Sequence, residues 1–264
     1  MFRALALILA LCGAPALPAA ASMDVDLELV LAVDMSGSVD IEEARVQRSG
    51  YVEALRHPDF IDAVKKGYLG RIAIGYFEWG ILVDDASVVA WQLIEKAEDA
   101  EAFASRLAAR PIGTRGGTSI SNAILFGMNF IGASAFSGRR RILDISGDGP
   151  NNTGPPVIMA REAALERGIT INGLAILIRP SVSAVPLDQY YADCVIVGPG
   201  SFVLPVREPE EFAVAIRQKL ILEVSGLAPG PTLRAAAGAP RTDCLIGERL
   251  QPGFVDRLYP ELDR

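Results

Sequence analysis

Residues 27–34 read LELVLAVD, an almost unbroken apolar run that ends in an acid and passes directly into Met35-Ser36-Gly37-Ser38. Such a run fits a central parallel strand covered on both faces, because a strand with one wet face would alternate apolar and polar residues. Asp34 then stands at the carboxyl end of that strand. Asp40-Ile41-Glu42-Glu43 follows with the D-x-x-E form of a capping box. It opens a helix running to about Arg56, stopped by His57-Pro58. Strand, short loop and helix in this order form the unit from which parallel sheets are wound.

Outward from this unit, further strands are expected over 71–79, 88–94, 140–146, 169–177 and 202–206, with helices over 97–109, 119–132, 156–167 and 209–223. Ile120, Ile124, Met128 and Ile131 recur at helical spacing and form a stripe facing the core. Trp79 and Trp91 fall in strands and read as core residues. Alternating strands and helices predict an α/β fold, a doubly wound and mostly parallel sheet with helices on both faces. One domain over 22–224 accounts for this pattern. From Ser225 the composition shifts to Gly, Pro and Ala (SGLAPGPTLRAAAGAP), so residues 225–264 read as an irregular extension laid on the domain.

The N-terminus has one early positive charge, Arg3, then an apolar run too short to span a bilayer, then Ala19-Ala20-Ala21-Ser22. Residues 1–21 therefore read as a secretory signal peptide cut after Ala21, with an uncleaved anchor as the alternative. The expected location is the periplasm or the medium, and no later segment is long and apolar enough to insert in a membrane. Of three cysteines, Cys12 leaves with the leader, and Cys194 and Cys244 remain. In an oxidising compartment two thiols pair, and both lie in segments with loop character. Closing a loop of about 50 residues would contribute about 4 kcal/mol in the chain-entropy treatment. Two buried thiols are the alternative.

Composition narrows the function. Acids outnumber bases 32 to 25, for a formal charge of −7, so the chain lacks the overall basic field that holds nucleic acid. Its single histidine, His57, sits at a helix end before proline and reads as a helix C-terminal residue rather than a general base.

In open parallel sheets ligands gather beyond the carboxyl ends of the strands. Three loops are expected there: Asp34-Met35-Ser36-Gly37-Ser38, Gly116-Gly117-Thr118-Ser119 before a helix, and Gly147-Asp148-Gly149 after a strand. Together they supply hydroxyl and carboxylate oxygens without sulfur or imidazole. That donor set suits a hard divalent ion, Mg2+ with Mn2+ as substitute. Ser36, Ser38 and Thr118 add no negative charge, which leaves Asp34 and Asp148 as the anions and keeps the ion electron-poor. An open position on such an ion can accept a carboxylate from another molecule.

In this order, Asp34-x-Ser36-x-Ser38, Thr118 in GGTSISNAI and Asp148 in ISGDG resemble the metal-ion-dependent adhesion site (MIDAS) of von Willebrand factor A (vWA) domains. The resemblance covers about residues 24 to 224. It is closest to a group of secreted bacterial vWA-like proteins that share the stretch GDGPNN and a late cysteine pair. It implies a six-stranded sheet with one antiparallel edge strand, and a metal site of Asp34, Ser36, Ser38, Thr118 and Asp148. It also implies a binding module that captures an Asp or Glu carboxylate of a partner protein through Mg2+, with no catalytic residues. The chain departs from many relatives at Ser146-Gly147-Asp148, where a Thr commonly stands directly before the Asp-Gly pair.

Other readings exist. A metal-dependent phosphohydrolase could use Asp34, but such sites place a second acid where Ser36 stands. No G-x-S-x-G elbow supports a serine hydrolase, and Gly116-Gly117 lacks the lysine of a phosphate loop and reads as a tight turn. A structural vWA scaffold with a non-functional metal site is the third reading. Asn151 and Asn152 either line the metal face or shape the turn after the strand. Arg115 either steers an acidic ligand or is a solvated loop residue.

Overall fold

β1 (Met23–Asp34) is buried from Val25 to its end. Leu27, Leu29, Leu31 and Val33 enter one apolar core, while Val30 and Ala32 enter a second. This is the two-residue alternation of a strand that has a core on each side. The computed structural model describes residues 22–37, 41–113, 116–178, 185–227, 233–234 and 241–251. The expected leader, residues 1–21, and the capping Asp40 lie outside them.

The other strands are β2 (Ile72–Trp79), β3 (Val89–Ile94), β4 (Phe136–Gly147), β5 (Thr170–Ile176), β6 (Phe202–Val206) and the two-residue β7 (Leu233–Arg234). They lie in the order β3-β2-β1-β4-β5-β6-β7. β3 runs antiparallel to β2 and β7 antiparallel to β6, and the remaining pairs are parallel. The six expected strands are present, and the extension adds the seventh. β4 begins four residues earlier than expected, because β1 continues outward and pairs Met23 with Phe136 and Asp24 with Ser137. The polar stretch Gly138-Arg139-Arg140-Arg141 gives no apolar signal, yet backbone pairing asks nothing of its side chains.

Helices α1 (Ile41–Arg56), α2 (Pro58–Lys65) and α3 (Ala97–Ala108) cover one face together with α7 (Phe212–Ser225). α4 (Ile120–Gly132), α5 (Val157–Glu166) and the short α6 (Leu187–Tyr190) cover the other. The stripe Ile120, Ile124, Met128 and Ile131 is buried there, as its spacing implied. Trp79 is buried, and Trp91 stacks on Phe130 at 5.2 Å. His57 ends α1 but also opens α2: its Nδ1 accepts the Asp59 amide at 3.3 Å and Pro58 takes the first helical position. The reading of His57 as a helix C-terminal residue alone missed this second helix. A proline that cannot continue one helix is pre-set to begin the next.

The α7 face carries a buried charge cluster absent from the sequence reading. Lys219 projects from α7 into the sheet and pairs with Asp144 on β4 and, at 2.5 Å, with Glu223 one turn further on. Asn172 of β5 donates to Glu223 at 3.1 Å. Burial and the nearby Asp144 push the Glu223 carboxyl up to about 7, with Lys219 pulling it back. Arg140 of β4 donates to the Glu223 and Val224 carbonyls, both at 2.7 Å, satisfying orphan acceptors at the end of α7. α7 is thus held by charge and hydrogen bonds as well as by its apolar side.

Removing the cation alone should strand two buried acids. Lys219→Met is expected to lower unfolding free energy by about 3–5 kcal/mol, measured by urea denaturation, with the loss reduced when Asp144→Asn and Glu223→Gln accompany it.

Candidate metal centre

After β1 the chain builds β2 on one side, and β4 later pairs on the other, so the carboxyl ends of β1 and β4 flank the point where the winding reverses. The register sets Val33 beside Ser146 and Asp34 beside Trp79. Asp34, the last residue of β1, and Asp148, just past the end of β4, therefore converge.

Asp34 is fully buried, and Ser36 and Thr118 nearly so. The chain turns back after Asp34, and the Ser36 amide donates to Asp34 Oδ1 at 2.7 Å. Asp34 Oδ2 is buried and has no hydrogen-bond partner among the described residues. Burial, and then the Asp148 carboxylate, push the Asp34 carboxyl up to about 8, against the pull of hydrogen bonds from Ser36 and the Asp148 backbone. Two acids share one enclosed corner, and a cation there would relieve both.

Thr118 precedes α4, whose N-cap Ser119 accepts the Asn122 amide at 3.3 Å. Gly117 has φ +71, a left-handed turn that glycine adopts without strain. This fits the tight-turn reading of Gly116-Gly117. The Thr118 amide donates to Asn152 Oδ1 and the Asn152 amide to the Thr118 carbonyl, both at 2.9 Å. The Thr118 hydroxyl lies 3.9 Å from where a Cβ on Gly149 would sit. The second loop is therefore clamped to the third. Ser38 and Arg115 fall outside the described residues. Of the five expected ligands, the structure brings Asp34, Ser36 and Asp148 to one corner and ties Thr118 to the loop that carries Asp148.

Asn151 and Asn152 shape the turn, as one of their two readings held. Asn151 is completely buried: its Oδ1 accepts the Ser121 amide at 3.0 Å, and its Nδ2 donates to Glu248 Oε1 at 2.7 Å. Glu248 belongs to α8 (Ile246–Arg249) of the extension. Gly247 rests so closely on this loop that a Cβ there would lie 2.0 Å from the Asn151 carbonyl oxygen.

The Cys194–Cys244 disulfide holds this segment down. Thr242 adds a hydrogen bond to Asp193 at 2.6 Å, and Tyr190 accepts from the Asn151 amide at 3.2 Å. Asp193 and Cys194 lie in a buried π-helical turn, Tyr191–Val195, and not in the loop that their sequence suggested. The extension therefore backs the third loop of the site. Glu248 and Tyr191 escaped the sequence reading. The adjacent tyrosines three residues before a cysteine were the available signal for the last.

A mostly parallel sheet wound outward from β1, with helices on both faces, has the fold of a von Willebrand factor A-like domain. The chain belongs to the family described as "Protein of unknown function (DUF1194)", which matches residues 24–228. A comparison with curated proteins finds no match. Among solved structures, proximal thread matrix protein 1 from the mussel byssus is similar at 16% identity and TM-score 0.57, over 77% of this chain and 49% of that one. Another structure of that mussel protein, at 15% identity and TM-score 0.56, has a zinc-occupied MIDAS motif. The pilus adhesin SpaC from Lactobacillus rhamnosus GG matches at 12% identity and TM-score 0.58, over 76% of this chain and 31% of that one. The vWF domain of the pilus tip protein Mfa5 from Porphyromonas gingivalis matches at 9% identity and TM-score 0.56, over 78% and 97%. This chain spans about half the length of the mussel protein, and at these identities the likeness is one of fold.

Two outcomes follow from the geometry. Because the Asp34 carboxyl is pushed up from 3.8 to about 8, the metal-free fold favours its protonated form. Its stabilising effect is full below the unfolded value and lost as pH rises through the folded one. The melting temperature without divalent ions should fall as pH rises from about 4 to about 8, and Asp34→Asn should reduce that slope. Cys244→Ser should lower stability by about 2–5 kcal/mol, read by thermal melting against the oxidised wild type.

Proposed function

We propose that this protein is a secreted or periplasmic vWA module that binds a partner protein through Mg2+, with Mn2+ as a substitute. The observation that carries the reading is the corner where the buried Asp34 and the half-buried Asp148 converge, beside the Ser36 hydroxyl and with one Asp34 oxygen lacking a hydrogen-bond partner among the described residues. Hard oxygen donors and a local excess of negative charge suit a small divalent cation. Among the described residues no three His, Cys, Asp or Glu side chains cluster as a metal site. A site made of two acids and several hydroxyls is of a different kind, since the hydroxyls carry half of the coordination.

Ser36, Ser38 and Thr118 would hold the ion directly, and Asp34 and Asp148 directly or through water. The bound ion would supply a Lewis-acidic position open to a carboxylate, and the partner would fill it with an Asp or Glu side chain. Ile81 and Leu82, exposed at 45% and 66%, stand on the loop that packs against Gly117 and would border the captured segment. The adhesive or structural character of the similar solved proteins supports binding rather than catalysis. The disulfide supports an oxidising compartment. No helix among the described residues is long and apolar enough to cross a membrane. The arrangement supports a domain over 22–224, with residues 241–251 of the extension fastened to it.

Calorimetric titration with Mg2+ and Mn2+ tests this reading. Saturable one-site binding is expected for the wild type and none for Asp34→Ala, with the fold of the variant intact by circular dichroism. Heat that does not saturate, or equal binding by both proteins, would overturn it.

A further inference from the structure

Asp34 Oδ2 is not the only orphan at the base of the site. The Tyr191 hydroxyl is also buried without a hydrogen-bond partner among the described residues. Tyr191 stands in the π-helical turn that carries Cys194, and its ring belongs to the core between the sheet and the α4–α5 layer. Asp34, Gly147 and Gly173 sit in alternating register with residues of that same core, so all three face it.

Two glycines give the ring its room. A Cβ on Gly173 of β5 would lie 2.7 Å from Tyr191 Cδ1. A Cβ on Gly147 of β4 would lie 2.6 Å from the Tyr191 hydroxyl and 2.8 Å from Asp34 Oδ2. The side chain thus lies across β5 and β4 toward β1, and its hydroxyl and the free Asp34 oxygen both lie within 3 Å of one point above Gly147. Leaving a buried donor and a buried acceptor unpaired side by side costs free energy on both groups, and a small rotation of the phenol or the carboxylate ends it.

We propose that Tyr191 is a positioning residue of the metal site, its hydroxyl donating to Asp34 Oδ2 and fixing the carboxylate for the ion. This rests on the metal reading above. Outer hydrogen-bond partners of ligating carboxylates set their orientation, and losing one costs about 10–100-fold in metal affinity. The geometry also gives the disulfide a place in the site, because the turn that presents Tyr191 is the one that Cys194 anchors to the extension.

Tyr191→Phe removes the hydroxyl and keeps the ring. The expected result is a 10–100-fold weaker Mg2+ dissociation constant with the melting temperature of the metal-free protein unchanged or raised, a pattern that loss of packing would not produce. Wild-type affinity in Tyr191→Phe would overturn the proposal and leave the metal reading standing. Absence of Mg2+ and Mn2+ binding by the wild type itself would overturn both. Should Tyr191→Phe fail to fold, the wild-type chain carrying 3-fluorotyrosine at position 191 decides: a fluorine resonance that moves and saturates with Mg2+ supports the proposal, and an unmoved one overturns it.

Discussion

A carboxylate at the end of a strand covered on both faces has no water to face, and the arrangement around Asp34 answers that constraint. β1 must be central to bury both sets of its apolar side chains, so its terminal acid opens into the crevice between β1 and β4 instead of onto the outer surface. Burying a charge without compensation is expensive. Part of the compensation is local, from the Ser36 amide and the Asp148 backbone. Among the described residues one Asp34 oxygen is left without a hydrogen-bond partner, and a second acid in the same corner adds to the cost of charging it. The proposed cation-binding role is supported by this imbalance more directly than by any single ligand.

The loops around that corner are secured in a hierarchy. Thr118 is clamped to Asn152 by two backbone-directed hydrogen bonds. Asn151 ties the same loop to the start of α4 and to Glu248 of the extension. The disulfide then joins the extension to the turn that holds Tyr190 and Tyr191. Preorganised groups lose less entropy on binding, so rigidity at the third loop would favour the proposed ion. The opposite face of the sheet uses another device. Lys219, Asp144 and Glu223 form a fully buried charge cluster that joins α7 to the central strands.

Much of the site was legible because its pieces are local. D-x-S-x-S and GDG are short segments whose positions at strand ends follow from the apolar runs before them. The apolar stripe of α4 was legible for the same reason, since helical spacing is written into consecutive residues. Lys219 was not, because a lysine in a helix is ordinarily solvated and only its partners on β4 and one turn along explain its burial. His57 misled in a smaller way, since a residue before proline marks the end of one helix and gives no sign of the cap it provides for the next.

From sequence alone came the doubly wound sheet, the six main strands along the chain, the three loops and the cysteine pair available to bridge. Periodicity, caps and strand-end acids are encoded within a few residues of one another. Tertiary structure decided what the loops rest on: the extension against Asn151, the π-helical turn in place of a loop at Cys194, and the glycine-cleared path that brings the Tyr191 hydroxyl beside Asp34. Each of these is a meeting of segments distant along the chain. The register and crossover order of the folded sheet bring them together, and no local spacing records it.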